Sequence, residues 1–449
     1  MDDTIVAIST SLGVGAISII RLSGEDSINI VNKIFKGKDL TTVPTHTIHY
    51  GYIVDNNEII DEVLVSIMRT PKTYTKENIV EINCHGGIST TNKVLELVLS
   101  NGARLAEPGE FTKRAFLNGR IDLVEADGIM NLISSKTETS RKMSINELSG
   151  KVSSLITGIR DDLIQIISNI EVNIDYPEYE DIEVLSNEKI LPSINKIKDT
   201  LIKTIKESEN GRIINEGINV GIIGRPNVGK SSLLNSLLEE QKAIVTDIEG
   251  TTRDIVEGQI KLNGVLLNII DTAGIRETDN IVEQIGVEKS YEIIDKSDLI
   301  IFLLNNNEPL TKEDLELYNK IKNKTHIIVL NKTDLKQVID LTPIKEEILK
   351  VSLLNNDASI ILDKIKELFN LEKLETSDLT YLSNARSISL LKKSLNNISN
   401  AIDNINNNDP IDIVELELKD AWSTLGEIIG ETYTDELLDE LFSRFCLGK

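Results

Sequence analysis

The spacing of apolar positions changes character along this chain. Up to residue 119, four short runs, Ile5 to Ile8, Ala16 to Arg21, Val63 to Met68 and Ile79 to Asn83, read as strands, while Ile88 to Leu99 has helical spacing. That mixture predicts an α+β domain over 1–119. From Lys136 onward the apolar residues fall three or four apart. Leu148, Val152, Leu155, Ile159, Leu163, Ile166, Ile170 and Ile174 share one helical face, and a second helical stretch runs from Asn187 to about Ile214. Helical spacing returns in Leu418, Trp422, Leu425 and Ile429, then in Leu437, Leu441 and Phe445. Between the helical blocks, Ile218 to Ile223 and Val265 to Ile270 read as buried strands. Neither helical block closes on itself, and both border a segment whose ends can lie close together. One discontinuous helical domain, 120–214 and 373–449, with an α/β domain inserted at 215–372, accounts for this order. Two unrelated helical appendages would also account for it. Asn305 to Asn307 and Asn404 to Asn408 read as loops.

The inserted segment carries chemistry. Gly224-Arg225-Pro226-Asn227-Val228-Gly229-Lys230-Ser231 follows one apolar run and opens into the helical stretch Ser232 to Leu238, so its N–H groups converge at a helix N-terminus. Gly224 and Gly229 let the backbone close around phosphates, Lys230 reaches their β and γ oxygens, and the Ser231 hydroxyl suits Mg²⁺. Thr251-Thr252, Asp271-Thr272-Ala273-Gly274 and Asn331-Lys332-Thr333-Asp334 follow in the order of a GTP site. Thr252 supplies a second Mg²⁺ hydroxyl, Asp271 holds the metal's water shell from a strand end, and the Gly274 N–H faces the γ-phosphate. Asp334 names the base, because a carboxylate accepts from both N1–H and the 2-amino group of guanine and adenine lacks that donor pair. GTP binding and hydrolysis are the expectation, with ATP rejected.

Composition bounds the rest. A chain of 449 residues with 40% hydrophobic content is long enough for two to four domains. No basic stretch leads into an apolar segment at the N-terminus, and runs such as Leu299 to Leu304 are far too short to span a membrane, which predicts a soluble, cytoplasmic protein. Cys84 and Cys446 make neither a disulfide framework nor a metal site, and Cys84 reads as a small buried residue. A net charge of −24 means that any contact with a polyanion must be local.

Outside the nucleotide motifs, the chain carries Asp3-Thr4-Ile5-Val6-Ala7, Ile20-Arg21-Leu22-Ser23-Gly24, His85-Gly86-Gly87, Pro108-Gly109-Glu110-Phe111-Thr112, Arg114 to Gly119, and Phe445-Cys446-Leu447-Gly448-Lys449. With these segments the whole length resembles the MnmE (TrmE) family of tRNA-modification GTPases. The resemblance implies an N-terminal folate-binding and dimerising domain, a helical domain interrupted by the GTPase, and a homodimer. It also implies an FAD-dependent partner, MnmG (GidA), joined in a heterotetramer. Together they would install an aminomethyl-type group, such as carboxymethylaminomethyl, at carbon 5 of the wobble uridine (U34) of tRNA, with a 5-formyl- or 5,10-methylene-tetrahydrofolate as one-carbon source. Val228, Ser232, Thr246, Asp247, Ile248, Glu249 and Gly250 then join the nucleotide contacts, and Arg21, Glu81, Arg120 and Lys449 fall at the folate site.

Ile275 stands where Ras-type GTPases place a water-orienting Gln, and it cannot hydrogen-bond. Glu283 matches the family's catalytic Glu, although without that match it reads sooner as a solvated carboxylate at an exposed helix start. Asn227 can ligate a K⁺ that neutralises developing charge, with Thr246 and Ile248 carbonyls and Thr251 nearby by resemblance, or it can simply suit the loop. Arg225, Arg253 and Arg276 are either charge-neutralising fingers or structural residues. Cys446 is either a nucleophile or a packed small side chain, and His85 serves the turn after its strand. Val351-Ser352-Leu353-Leu354 departs from the family's usual Ser-Ala-Lys, which puts those guanine contacts in question. A regulatory switch GTPase acting in ribosome assembly, or a scaffold without turnover, are the competing functions.

Overall fold

The computed structural model describes residues 3–175, 187–240, 256–270, 290–355, 358–376, 379–445 and 447–448. It divides into two units, Met1–Met130 with Ser153–Ile194 and Asn396–Lys449, and Asn131–Val152 with Asn195–Leu395. In the first unit, β1 (Ile5–Ile8), β2 (Ile17–Ser23), β3 (Phe35–Lys36), β4 (Thr47–Asp55), β5 (Glu58–Met68), β6 (Ile79–His85) and β7 (Arg104–Leu105) form a sheet ordered β3-β4-β5-β6-β2-β1-β7. Helices α1 (Ser27–Ile34) and α2 (Ile88–Ser100) cover one face, burying Ile20, Leu22, Val65, Ile67, Val80, Ile82 and Cys84. Cys84 is 2% exposed, and burial pushes its thiol above the ordinary range. Because side chains alternate along a strand, Arg21 and Glu81 point to the other face, where Ile5 and Ala7 pack against Phe111 of α3 (Glu110–Leu117). β4 escaped the sequence reading because its exposed Ile48 and Tyr50 alternate with polar or small residues and leave an apolar run only at Tyr52-Ile53-Val54. His85 closes β6 with its N–H and its ring both bonded to Asp61.

Arg114 of α3, with no exposed side-chain surface, holds this layer together. Its Nη1 donates to the Asp3 carbonyl and to Glu77 Oε1, and its Nη2 donates to Asp3 Oδ1 and Glu110 Oε1 at 2.7 and 3.1 Å. Helix α4 (Leu123–Ser134) leads to α5 (Glu138–Leu148), α6 (Lys151–Asp175) and α7 (Asn187–Glu216). Gly150, at φ +74°, separates α5 from α6, so the expected single stripe from Leu148 to Ile174 runs over two helices and fades at Ile174, which is exposed.

In the second unit, β8 (Ile218–Ile223), β9 (Val256–Leu262), β10 (Val265–Ile270), β11 (Leu299–Asn305), β12 (His326–Asn331) and β13 (Ile348–Lys350) form a sheet ordered β13-β12-β11-β8-β10-β9, parallel apart from the β9–β10 hairpin. Its helices are α8 (Lys230–Glu240), α9 (described over 290–296), α10 (Lys312–Ile321), α11 (Ala358–Leu368) and α12 (Leu371–Thr376). Separate apolar clusters bury the two faces, as a doubly wound α/β sheet requires. Helices α13 (Ala385–Asn406), α14 (Ile411–Ile429) and α15 (Asp435–Ser443) complete the chain.

Two expectations shift here. Asn404 to Asn406 belong to α13 rather than to a loop, and α15 buries Leu438 and Phe442 instead of Leu437 and Leu441, because the helix starts at its Thr434 cap with that face inward. Within the first unit, the Arg160 guanidinium of α6 sits 4.2 Å from the Trp422 ring of α14 and pairs with Glu431. Helices α6 and α14, far apart in sequence, are therefore joined side by side. Among the described residues, no helix is long and apolar enough to cross a membrane.

Arg114→Met should cost about 3 kcal/mol, because Glu77 loses its ion-pair partner and Glu110 one of two while both are largely buried. Hydrogen bonds to Arg104 hold Asp3 low against burial, and bonds to Arg104, the Glu107 N–H and Arg114 hold Glu110 low although burial pushes it up. With folded values below unfolded ones, their stabilisation is complete above pH about 4.5 and is lost as pH falls through the folded values. Urea unfolding followed by circular dichroism against pH should show a steep acid loss in the parent and a shallower one in the variant.

Candidate functional site

β8 is buried on both faces and ends at Ile223, where the chain must turn sharply. Gly224 adopts φ +147° and packs so close to β11 that a Cβ would lie 2.5 Å from the Leu303 carbonyl. Gly229 adopts φ +109°, and a Cβ there would lie 2.3 Å from Asn331 Nδ2. Only glycine meets both demands at once. Val228, fully buried, plugs the loop from beneath, and the Leu233 N–H bonds the Gly229 carbonyl to start α8. Lys230 Nζ lies within the loop, donating to the carbonyls of Gly224 and Arg225 at 2.7 and 2.9 Å. Burial lowers its pKa, with Glu313 acting the other way. Ser231 and Ser232 are exposed in the first turn of α8.

The Asn331–Asp334 segment is tied to this loop. Asn331 ends β12, 3% exposed; its Nδ2 donates to the Val228 carbonyl at 2.8 Å and its Oδ1 accepts from the Leu353 N–H at 3.3 Å. Lys332 (φ +62°) donates from Nζ to the Asn227 carbonyl at 2.9 Å. Ser352 Oγ donates to Asp334 Oδ1 at 2.8 Å and orients a carboxylate that is otherwise exposed. The 224–231 loop and the Asn331–Asp334 segment thus meet at the carboxyl ends of parallel strands, the crevice where such sheets bind ligands. Arg225 faces away: its Nε pairs at 2.9 Å with Asp314, which is 1% exposed and caps α10 together with Thr311. It is a strut and not a finger. Thr246, Asp247, Ile248, Glu249, Gly250, Thr251, Thr252, Arg253, Asp271, Thr272, Ala273, Gly274, Ile275, Arg276, Glu283, Cys446 and Lys449 lie outside the described residues.

A second constellation lies in the first unit. Arg21 and Glu81 are direct cross-strand partners on β2 and β6, and Arg21 Nε donates to Glu81 Oε1 at 2.8 Å. Arg21 Nη1 also donates to the carbonyl of Gly448 at 3.2 Å, which places the residue before Lys449 beside β2. Arg120 stacks 4.9 Å from the Tyr74 ring, and Arg21 lies 6.0 Å from the same ring. Tyr74 therefore bridges the two cations, its hydroxyl bonded to Thr112 at 2.8 Å and its pKa raised by burial. Sequence reasoning missed Tyr74; an aromatic residue in an irregular segment has no periodicity to mark it.

With the geometry in place, comparison with known proteins is decisive. The model described as "GTP-binding protein TrmE N-terminus" matches residues 4–120, and the one described as "MnmE helical domain" matches 123–446. The tRNA modification GTPase MnmE of Bacillus thuringiensis (strain Al Hakam) is 52% identical over 455 residues, covering 100% of this chain and 99% of that protein, and its counterpart in Bacillus anthracis matches to the same extent. The chain belongs to the MnmE family of tRNA modification GTPases. Among solved structures, Era in complex with MgGDPNP and 16S ribosomal RNA is 27% identical, over 40% of this chain and 66% of that one, with a TM-score of 0.27. The FeoB G-domain from Methanococcus jannaschii is 22% identical, over 34% and 98%, with a TM-score of 0.25.

Asp314→Ala should destabilise the second unit by about 3 kcal/mol, since it removes the α10 cap and leaves part-buried Arg225 without that partner. Asp314→Asn, which keeps an oxygen for the cap, should cost about half as much in urea unfolding. Equal costs would show that the ion pair, and not the cap, carries the effect.

Proposed function

We propose that this chain hydrolyses GTP with K⁺ dependence and, in the cytoplasm, modifies carbon 5 of the tRNA wobble uridine (U34) together with an FAD-dependent MnmG-type partner. Residues 1–119 bind folate and form a homodimer, 120–214 and 373–449 make the helical domain, and 215–372 make the GTPase. The observation that carries the reading is the hydrogen-bonded junction between the phosphate loop and the Asn331–Asp334 segment, in a chain of this family from end to end. The donor set fits the ligands. Loop N–H groups and the Lys230 ammonium suit phosphates, and the exposed Ser231 hydroxyl, with Thr252, suits Mg²⁺. Asn227, with Thr246, Ile248 and Thr251, would hold K⁺, which supplies positive charge beside the phosphates. Asp334 and Ser352 read guanine, and Glu283 orients the attacking water indirectly.

Arg21, Glu81, Arg120 and Tyr74 fit a folate: an aromatic floor, cations for carboxylates, and a carboxylate that Arg21 holds in position at 2.8 Å. Lys449 would join them, since Arg21 already holds its neighbour.

Purified chain should turn over GTP and not ATP, and at least roughly tenfold faster in K⁺ than in Na⁺. Glu283→Ala should lower kcat by about a hundredfold. Asp334→Ala should weaken GDP binding by about 2 kcal/mol, some thirtyfold. 5-Formyltetrahydrofolate should bind in calorimetry and lose affinity in Arg120→Ala and Tyr74→Ala. Equal turnover of ATP, or no folate heat at all, would defeat the corresponding half of the reading.

A further inference from the structure

On the face of the second sheet that carries Ile270, neighbouring strands set three amides side by side: Asn268 of β10 pairs with Asn219 of β8 and with Gln259 of β9. They form a continuous row. Lys136 Nζ donates to Gln259 Oε1 at 2.7 Å, Gln259 Nε2 to Asn268 Oδ1 at 2.9 Å, and Asn268 Nδ2 to Asn219 Oδ1 at 3.2 Å and to the Glu216 carbonyl at 3.0 Å. Each bond is donated in the same direction from the ammonium, so each polarises the next. Asn268 is 8% exposed in an otherwise apolar strand, a placement that costs stability unless its hydrogen bonds are made. Gly217, at φ +84°, passes so close that a Cβ would lie 3.0 Å from Asn268 Nδ2. A cavity of about 520 Å³ borders the row, so hydrogen bonds rather than packing hold the β9–β10 hairpin on this side.

The hairpin's position gives the row its significance. β9 opens shortly after Thr252 and β10 ends at Ile270, immediately before Asp271, so wherever the hairpin sits it carries both chain segments with it. At the other end the row starts on Lys136, between α4 and α5, and reaches the last residue of α7. These helix ends are themselves tied, Asn215 Nδ2 to Asn131 Oδ1 at 2.8 Å, Ser140 Oγ to Asn215 Oδ1 at 3.1 Å, and Asn131 Nδ2 to Glu147 Oε2 at 2.8 Å. Nothing in the row touches the phosphate loop, so its influence is on placement.

We propose that Lys136, Gln259 and Asn268 are positioning residues for GTP hydrolysis, fixing the β9–β10 hairpin against β8 and the helix ends so that Thr252 and Asp271 arrive correctly at the phosphate loop. This rests on the roles proposed above for those two residues. A displacement of about an ångström costs catalysis far more than ground-state binding, so the effect falls on kcat.

The test uses the full chain with Lys136→Met, Gln259→Leu, the pair combined, and Lys136→Arg. Steady-state GTP hydrolysis is measured beside affinity for a fluorescent N-methylanthraniloyl-GDP and the thermal midpoint. Each single variant should lower kcat roughly tenfold with GDP affinity changed less than about twofold. The combined variant should be no worse than either single one, because both break one row, and Lys136→Arg should recover most of the loss. Turnover within about twofold of the parent, or a loss matched by GDP affinity, or additive losses in the pair, would each overturn the proposal. Should Gln259→Leu fail to fold, Lys136→Met and Lys136→Arg decide it alone. A parent chain that neither binds GDP nor hydrolyses GTP would refute the proposed function itself, a result distinct from any of these.

Discussion

The side-chain amide of Asn331 is the point on which the nucleotide crevice depends. One buried group donates to the 224–231 loop at Val228 and accepts from the backbone of Leu353, so that loop and the Asn331–Asp334 segment share a single rigid junction. An unpaired amide at this depth would cost more than its bonds return, which makes the junction close to all-or-none. The glycine requirement at 229 follows from it: the loop approaches Asn331 so closely that no side chain fits between them. Lys332 adds a second tie from the same segment to Asn227, and Arg225 fixes the outer side of the loop to Asp314. With its backbone fastened on both sides, the loop presents its N–H groups already arranged, and binding need not pay to order them.

The first unit solves a different problem, bringing together residues far apart in sequence. β2 and β6 supply Arg21 and Glu81 as a cross-strand pair, the loop before β6 supplies Tyr74, the turn after α3 supplies Arg120, and the far end of the chain supplies the Gly448 carbonyl. Gly448 can approach because it has φ +87° and no side chain; a Cβ would lie 2.6 Å from the Ile8 carbonyl. Arg114 makes this assembly rigid by joining Asp3, Glu77 and Glu110, residues from three separate segments. In a chain of net charge −24, two cations gathered at one ring, that of Tyr74, are a local exception, as anion recognition requires.

Much of this was legible in the sequence, and the parts that were not share a cause. Ile5–Ile8, Ile218–Ile223 and Val265–Ile270 were read with the bounds the structure has, because a continuous apolar run between turn residues has few other uses. The nucleotide motif was legible because glycine, lysine and asparagine are demanded there by backbone shape and charge. Tyr74 and the amide row were not legible. A single Asn or Gln in a strand has no pattern, and its meaning appears only when pairing sets it beside another. The face of α15 was misplaced by one residue because two leucines and a phenylalanine at helical spacing fit either face until the Thr434 cap set the start.

The Ser352-Leu353-Leu354 segment departs from the family pattern yet keeps two contacts that do not depend on it. Ser352 keeps its hydroxyl on Asp334, the group that would face guanine. Leu353 contributes through its main-chain N–H to Asn331, an atom every residue but proline possesses, while its side chain is 7% exposed and packs into the core beneath the sheet. A larger apolar residue at that position is therefore held more firmly than alanine would be. Leu354 is 85% exposed, so the loss of a lysine there alters the rim of the crevice and not its frame. The segment's two ties to Asp334 and Asn331 need one hydroxyl and one backbone donor, and this sequence supplies both.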